Sequence, residues 1–257
     1  MAVPAVDPFA ESWEQWRAAR LERLNAVDGP PTLTATYWLD ESDVVPGVAG
    51  RWSIRDGAVV LTPDEGEEIV ARAAGQEAGA KLRLAGVSVQ VIARDGRTGV
   101  RVFDHAKGGA IRDVETFPPS PSWVVAGRFT PVPGGTSVAY QQALESAPRE
   151  LTVPGVVSFE LDGRRYETAP LREGDALLLV FADATTGTQS KPPARFLWIE
   201  LPNGPNEASD VEIDFNRAYL PPCAFSDEFN CPLPPAGHRI AAAVTAGETW
   251  AHRVSRR

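Results

Sequence analysis

Sulfur is nearly missing from this chain. Its 257 residues include two cysteines and one methionine, which excludes a disulfide-stapled scaffold. A chain of this length buries a core without staples. Histidine is almost as rare: His105, His238 and His252 are too scattered to mark a triad or a metal cluster. Lysine is scarce as well, most of the 25 basic residues being arginine. Arginine suits bidentate pairing with carboxylate or phosphate, and a GC-rich coding sequence produces the same bias. With 34 acidic residues the formal charge is -9, which argues against a nucleic-acid surface. No stretch reaches the roughly eighteen apolar residues of a membrane span. The opening "MAVPAVDPFAESWEQW" lacks the basic region and long apolar run of a secretion signal. No Gly-rich phosphate loop, nucleophile elbow or H-E-x-x-H motif is present. The expectation is a cytoplasmic protein, monomer or homodimer, with no cofactor, no metal, and neither nucleic acid nor membrane as partner.

What the sequence does contain is period-two patterning. A helix is expected first, from the capping-box spacing of Ser12 and Gln15 to about Ala26, where "DGPP" ends it. Trp13, Trp16, Leu21 and Leu24 fall on one face, and Arg17 and Arg20 fall in the same sector. Those arginines either pair with carboxylates of the main body or snorkel out beside the tryptophans. From residue 32 onward, "TLTATYWL", "RWSIRDGAVVL", "KLRLAGVSVQVIARDGRTGVRVFD", "SWVVAGRF", "VVSFELDGRRYETAPL", "DALLLVFAD", "RFLWIEL", "DVEIDF" and "RIAAAVTAG" read as strands. Asp56-Gly57, Asp95-Gly96 and Asp162-Gly163 carry the hairpin signal. Long helices do not alternate with these strands. The fold class is therefore mainly β, an antiparallel barrel or sandwich with an N-terminal amphipathic helix packed against it. The boundaries drawn are a helical segment at 1–30, a β domain at 31–248 and a loose basic tail at 249–257.

Three stretches place polar residues where chemistry could occur. Leu177 to Phe181 is an apolar run long enough for a strand buried on both faces, and it breaks into Asp183, Thr185, Thr186 and Gly187. That is a site at the mouth of a buried strand, or an ordinary Asx turn. In "VEIDFN", alternation puts Asp214 and Asn216 on one face, about 7 Å apart. The pair either orients a ligand or water, or holds the stiff loop that follows. Arg101 leaves its strand opposite Val100 and Val102, as an anion-binding side chain or a surface one.

That stiff loop, "DFNRAYLPPCAFSDEFNCPLPP", holds both cysteines. Cys223 and Cys231 are eight apart and lack the close spacing and further ligands of a zinc site. A disulfide there contributes about 2.5 kcal/mol in the loop-entropy model, and a reducing compartment disfavours it. A thiolate nucleophile needs a base, for which His238 is the nearest choice. Two inert thiols packing the loop is the competing reading.

Together, "WEQWRAAR", "VIARDGRTGVRVFD", "LVFADATTG", "RFLWIEL", "EIDFNRAYLPPCAFSDEFNCPLPP" and "AAAVTAGE" resemble the DUF1684 family, a bacterial family of unknown function. The matching motif positions are Arg17, Arg94, Arg101, Asp104, Asp183, Thr185, Gly187, Arg195, Asp214, Asn216, Tyr219, Cys223, Cys231, Arg239 and Glu248. Two stretches depart from the family pattern. "GTQSKPPARFL" has no Thr-Tyr pair and carries Phe196 in place of tyrosine, and "GHRI" replaces Glu-Asn-Arg-Leu. The resemblance brings no reaction with it. The reading taken forward is a pocket that binds, and turns over if it is an enzyme, a small polar or anionic metabolite. Asp183 and Asp214 are its catalytic candidates. Arg101, Thr185, Arg195, Asn216, Tyr219 and Arg239 are its ligand-binding candidates. The alternatives are a structural or partner-binding protein whose motif residues form buried ion pairs, and a hydrolase or transferase using Cys223 or Cys231 as nucleophile.

Overall fold

The computed structural model describes residues 7–40, 43–71, 81–94 and 96–253. One compact unit comprises Arg23–Ala110, the other Met1–Glu22 with Ile111–Arg257. The chain opens with helix α1 (Pro8–Asn25), one turn earlier than expected. Proline is well placed in a first turn, and the Asp7 carboxylate accepts the Phe9 N–H at 3.0 Å. Ser12, read as the cap, lies inside the helix and accepts a hydrogen bond from Arg217 at 2.7 Å.

The unit Arg23–Ala110 holds β1 (Leu33–Trp38), β2 (Arg51–Arg55), β3 (Ala58–Thr62), β4 (Ile69–Ala71), β5 (Lys81–Leu84), β6 (Val87–Arg94) and β7 (Arg97–Asp104). They form antiparallel sheets in the orders β1-β7-β6-β5 and β2-β3-β4. Val89, Val91, Val100 and Val102 pack with Trp52, Val59 and Leu61 between the two. The expected Asp56-Gly57 turn has φ of 52° and 70°, the left-handed pair that a two-residue hairpin needs. Arg94 pairs with Arg97 across the next hairpin. Asp95 of that expected turn lies outside the described residues.

The larger unit holds β8 (Ile111–Thr116), β9 (Val124–Tyr140), β10 (Arg149–Leu161), β11 (Arg164–Thr168), β12 (Leu171–Glu173), β13 (Ala176–Phe181), β14 (Arg195–Glu200), β15 (Ser209–Asp214) and β16 (Glu248–Arg253). Its sheets run β11-β10-β9-β15, β12-β13-β14 and β16-β8, all antiparallel. Asp162-Gly163 turns β10 into β11 with φ of 52° and 71°. Strand β13 is buried on both faces, as its apolar run implied. Leu177, Leu179 and Phe181 join Phe129, Phe159 and Ile213 in one core. Leu178 and Val180 join Tyr140, Val153, Phe196 and Cys231 in another. The fold is thus mainly β, and among the described residues no sheet closes into a barrel, so the sandwich is the version that applies.

Two sequence expectations change here. Residues 249–253, assigned to the tail, complete β16. "RIAAAVTAG" is not a strand: Ile240, Val244 and Ala246 enter the core from an irregular segment. The Val244 and Ala246 carbonyls are taken by the Arg195 guanidinium instead of by a neighbouring strand. A buried backbone acceptor needs some partner, and a side chain serves as well as a ladder.

Candidate functional site

Just past β13, Asp183 begins a tight loop that its own side chain organises. Its Oδ1 accepts the Thr185 N–H at 2.9 Å, the Thr185 hydroxyl at 2.7 Å and the Thr186 hydroxyl at 3.2 Å. Its Oδ2 accepts Arg195 Nη2 at 2.6 Å and the Val244 N–H at 3.0 Å. The Thr185 carbonyl then collects the N–H groups of Thr188, Gln189 and Ser190. Arg195 and Asp183 have side-chain exposures of 1% and 0%. Burial lowers the Arg195 pKa from its ordinary value, with the Asp183 charge opposing that trend. A carboxylate with both oxygens engaged and a side chain 0% exposed serves to hold structure, whereas a general acid or base must reach a substrate proton.

A second buried pair lies at the start of β16. Glu248 accepts Arg20 Nε at 2.9 Å and the Leu220 N–H at 2.7 Å. Arg20 also donates to the Leu220 carbonyl at 2.8 Å, and its guanidinium sits 4.8 Å from the Tyr219 ring centroid. Gly247 makes this approach possible. Its φ is +78°, and a Cβ there would meet the Ala218 carbonyl at 2.5 Å. So the first of the two readings for the helix arginines holds: Arg20 meets Glu248, and Arg17 meets Asp113 at 2.9 Å.

The remaining candidates of the larger unit do not converge. Asp214 ends β15 and caps a 3-10 turn, accepting both the Asn216 N–H at 3.0 Å and the Asn216 side-chain amide at 2.8 Å. The turn breaks the alternation that was to hold these residues about 7 Å apart on one face. Asn216 is fully buried, and its amide group bridges to the Ser120 N–H and carbonyl, both at 2.9 Å. Tyr219 is half-buried against Phe196, and burial pushes its hydroxyl pKa well above the ordinary tyrosine value. Arg239 is exposed. Arg101 belongs to the other unit, on β7, in register with Thr36 and Gln90.

Accessible polar groups gather elsewhere in the larger unit. A cleft of about 520 Å³ is lined by Arg17, Asp113, Glu115, Thr116, Phe117, Pro118, Gln189, Thr249 and Trp250. Arg17 bridges to Asp113 and to the Thr116 hydroxyl at 3.4 Å. Glu115 faces His252 Nε2 at 2.6 Å. Motif residues lie next to several of these lining residues. The Asp183 loop places Gln189, and the Lys191 N–H donates to the Thr249 carbonyl at 2.9 Å. Glu248 is the neighbour of Thr249 and anchors the helix that carries Arg17. The Arg195 guanidinium lies behind Phe117, 5.9 Å from its ring centroid. A second cleft, about 530 Å³, is lined mainly by prolines, glycines and valines, with Arg172 as the one ionisable side chain among the described residues there.

The thiols lie apart from this cleft, against Tyr219 and Phe196. His238 offers them no base. Its Nδ1–H donates to the Val180 carbonyl at 2.8 Å, and its Nε2 accepts the Ala169 N–H at 2.8 Å. With both nitrogens committed to the backbone, the nucleophile reading loses the base it was assigned.

The model of DUF1684, a protein family of unknown function, matches residues 110–249, more than half of the sequence. The chain belongs to the DUF1684 family. It is also similar to an uncharacterised protein of Haloarcula marismortui determined in solution by NMR, with 32% identity, covering 53% of this chain and 75% of that one at a TM-score of 0.45. No curated protein matches.

The DUF1684 segment contributes Asp113, Glu115, Thr116, Gln189 and Thr249 to the cleft, while Arg17 and Trp250 come from outside it. Sequence reasoning missed most of these. In β8 the buried residues are Ile111 and Val114, three apart, and the β8–β16 register is irregular, so no period-two signal reveals the strand. The available signal was indirect: Arg17 and Glu248 are both motif positions.

Proposed function

We propose that the DUF1684 unit is a binding module for a small polar molecule held in the cleft between α1, β8, β16 and the Asp183 loop. The observation that carries this reading is Arg17, half-exposed at the cleft and held over it by the buried Arg20–Glu248 pair one turn along the same helix. An anchored guanidinium loses little freedom on meeting a ligand, which is how pre-organisation raises affinity. The cleft also offers the Asp113 and Glu115 carboxylates, the Gln189 amide and the apolar surfaces of Trp250 and Phe117. Convergent polar groups beside aromatic walls are the usual composition of a small-molecule site. Two carboxylates against one guanidinium favour a ligand with hydrogen-bond donors or an amine over a multiply charged anion.

The pairs Asp183–Arg195 and Arg20–Glu248, which include the motif positions Asp183, Arg195 and Glu248, are the foundation of this site in the proposal, and catalysis forms no part of it. Their burial also favours a second reading, in which the whole motif is architectural and nothing binds. A thermal-shift screen with amino compounds, organic acids, sugar phosphates and nucleotides separates the two. A ligand specific to the folded state raises Tm in a concentration-dependent way. Arg17→Ala and Gln189→Ala are expected to abolish the shift, and Arg165→Ala, on β11, to preserve it. A hit whose shift survives both cleft substitutions defeats the proposal.

A further inference from the structure

The two cysteines are placed as a pair, and the stiff loop fixes that pairing. Cys223 sits in a 3-10 turn, Pro222–Ala224, with Pro221 as its N-cap. The turn is closed by the Ala224 N–H on the Pro221 carbonyl at 2.9 Å and the Phe225 N–H on the Pro222 carbonyl at 3.0 Å. Cys231 is fixed from the other side. Its carbonyl accepts the Ala143 N–H at 2.9 Å, and the Leu233 N–H donates to the Gln141 carbonyl at 2.8 Å. With both backbones anchored, the Cys223 N–H points at Cys231 Sγ, 3.3 Å away. Neither cysteine is in a disulfide. Cys231 is 6% exposed, while Cys223 is only partly buried. Cys223 is therefore the more accessible residue of the pair and Cys231 the more buried.

We propose that Cys223 and Cys231 form a reversible dithiol–disulfide site that reacts with low-molecular-weight disulfides, Cys223 attacking first and Cys231 resolving. In the first step the Cys223 thiolate bonds to one sulfur of the small disulfide, whose S–S bond breaks and releases one thiolate. In the second, the Cys231 thiolate bonds to Cys223 Sγ, and the mixed S–S bond breaks to release the second thiol. Two protein thiols are oxidised, one small disulfide is reduced to two thiols, and the two protons pass to the departing thiolates. The thiolate is the attacking form. The hydrogen bond from the Cys231 side chain lowers the Cys223 pKa from the ordinary thiol value, against the opposing effect of burial, and the Lys191 charge adds to the lowering.

The test is incubation of the native chain with oxidised glutathione, followed by alkylation and intact mass. The expected product is two hydrogens lighter and takes up no alkylating agent, and reduced glutathione reverses it. Cys231→Ser is expected to stop at a single glutathione adduct on Cys223, and Cys223→Ser to resist reaction while folded. Should either variant fail to fold, peptide mapping of the wild type under limiting iodoacetamide answers the same question, with Cys223 labelled before Cys231. A native chain that keeps both thiols alkylatable, ends with two glutathione adducts, or labels Cys231 first would overturn the proposal.

Discussion

Two arginine–carboxylate pairs in the same unit have opposite surroundings. Arg195–Asp183 is exposed by 1% and 0%, and every oxygen of the carboxylate is engaged. Arg17–Asp113 is exposed by 30% and 43%, at the edge of a cleft. Removing charges from water is costly, and a buried pair persists only when its remaining hydrogen-bond capacity is filled by the protein. Here two backbone carbonyls, two threonine hydroxyls and two N–H groups fill most of it, and Arg195 Nε has no partner among the described residues. The outcome is a node that fixes a loop and an irregular core segment together. The exposed pair has no such saturation, so its groups can exchange water for a ligand.

Breaking the buried pair gives the largest expected effect. Asp183→Ala leaves the Arg195 charge uncompensated inside the core and strips the 183–190 loop of its organising acceptor. A cost of about 3–5 kcal/mol follows from the behaviour of other broken buried pairs, readable as a lower urea midpoint. Asp183→Ala together with Arg195→Met removes both charges, and should recover part of that loss. If the single substitution costs no more than a surface change, the node is not the foundation described above.

That node also shows what a sequence conveys and what it withholds. Hairpins at Asp56-Gly57 and Asp162-Gly163 and the doubly buried β13 were legible, and the pairing of the helix arginines was one of two readings left open. Each depends on local rules: left-handed turn residues, apolar runs, helical spacing. The motif around Asp183 was legible as important but not as to its role, since a turn and a site share one composition. Its role depends on Val244 and Ala246, which lie some sixty residues further along and were read as strand. The shared face assigned to Asp214 and Asn216 failed for a related reason. The face assignment assumed that the strand continued, whereas a 3-10 turn begins at Phe215. The cleft residues Gln189 and Thr249 carry no pattern of their own, because long-range placement alone brings them together.

His238 extends the comparison to a buried group that stays neutral. It is 2% exposed, and burial drops its pKa from 6.5 to about 4. The folded-state value lies below the unfolded one, so as pH falls the unfolded chain takes up a proton first. The stability this residue confers is complete above about pH 6.5 and declines as pH drops toward about 4. The full span corresponds to about 3 kcal/mol. Urea denaturation at stepped pH should show that slope in the wild type and a flatter one in His238→Asn. Equal slopes would mean that carboxylates, not this imidazole, govern acid sensitivity.

The smallest stability effect is expected at the exposed pair, and it sharpens the contrast most. Arg17→Ala removes a partly screened ion pair and a contact with the Trp13 ring, whose centroid lies 5.5 Å from the guanidinium carbon. Exposed pairs contribute less than about 1 kcal/mol, and salt reduces that further. The urea midpoint should therefore barely move, and high salt should erase most of the difference. Helix α1 keeps its Arg20 anchor, so the cleft survives without its guanidinium. Ligand affinity and stability should then separate at Arg17, with binding lost and folding intact, whereas they should fall together at Asp183. An Arg17→Ala variant as unstable as Asp183→Ala would place both pairs in the architecture and remove the reason to see a site between them.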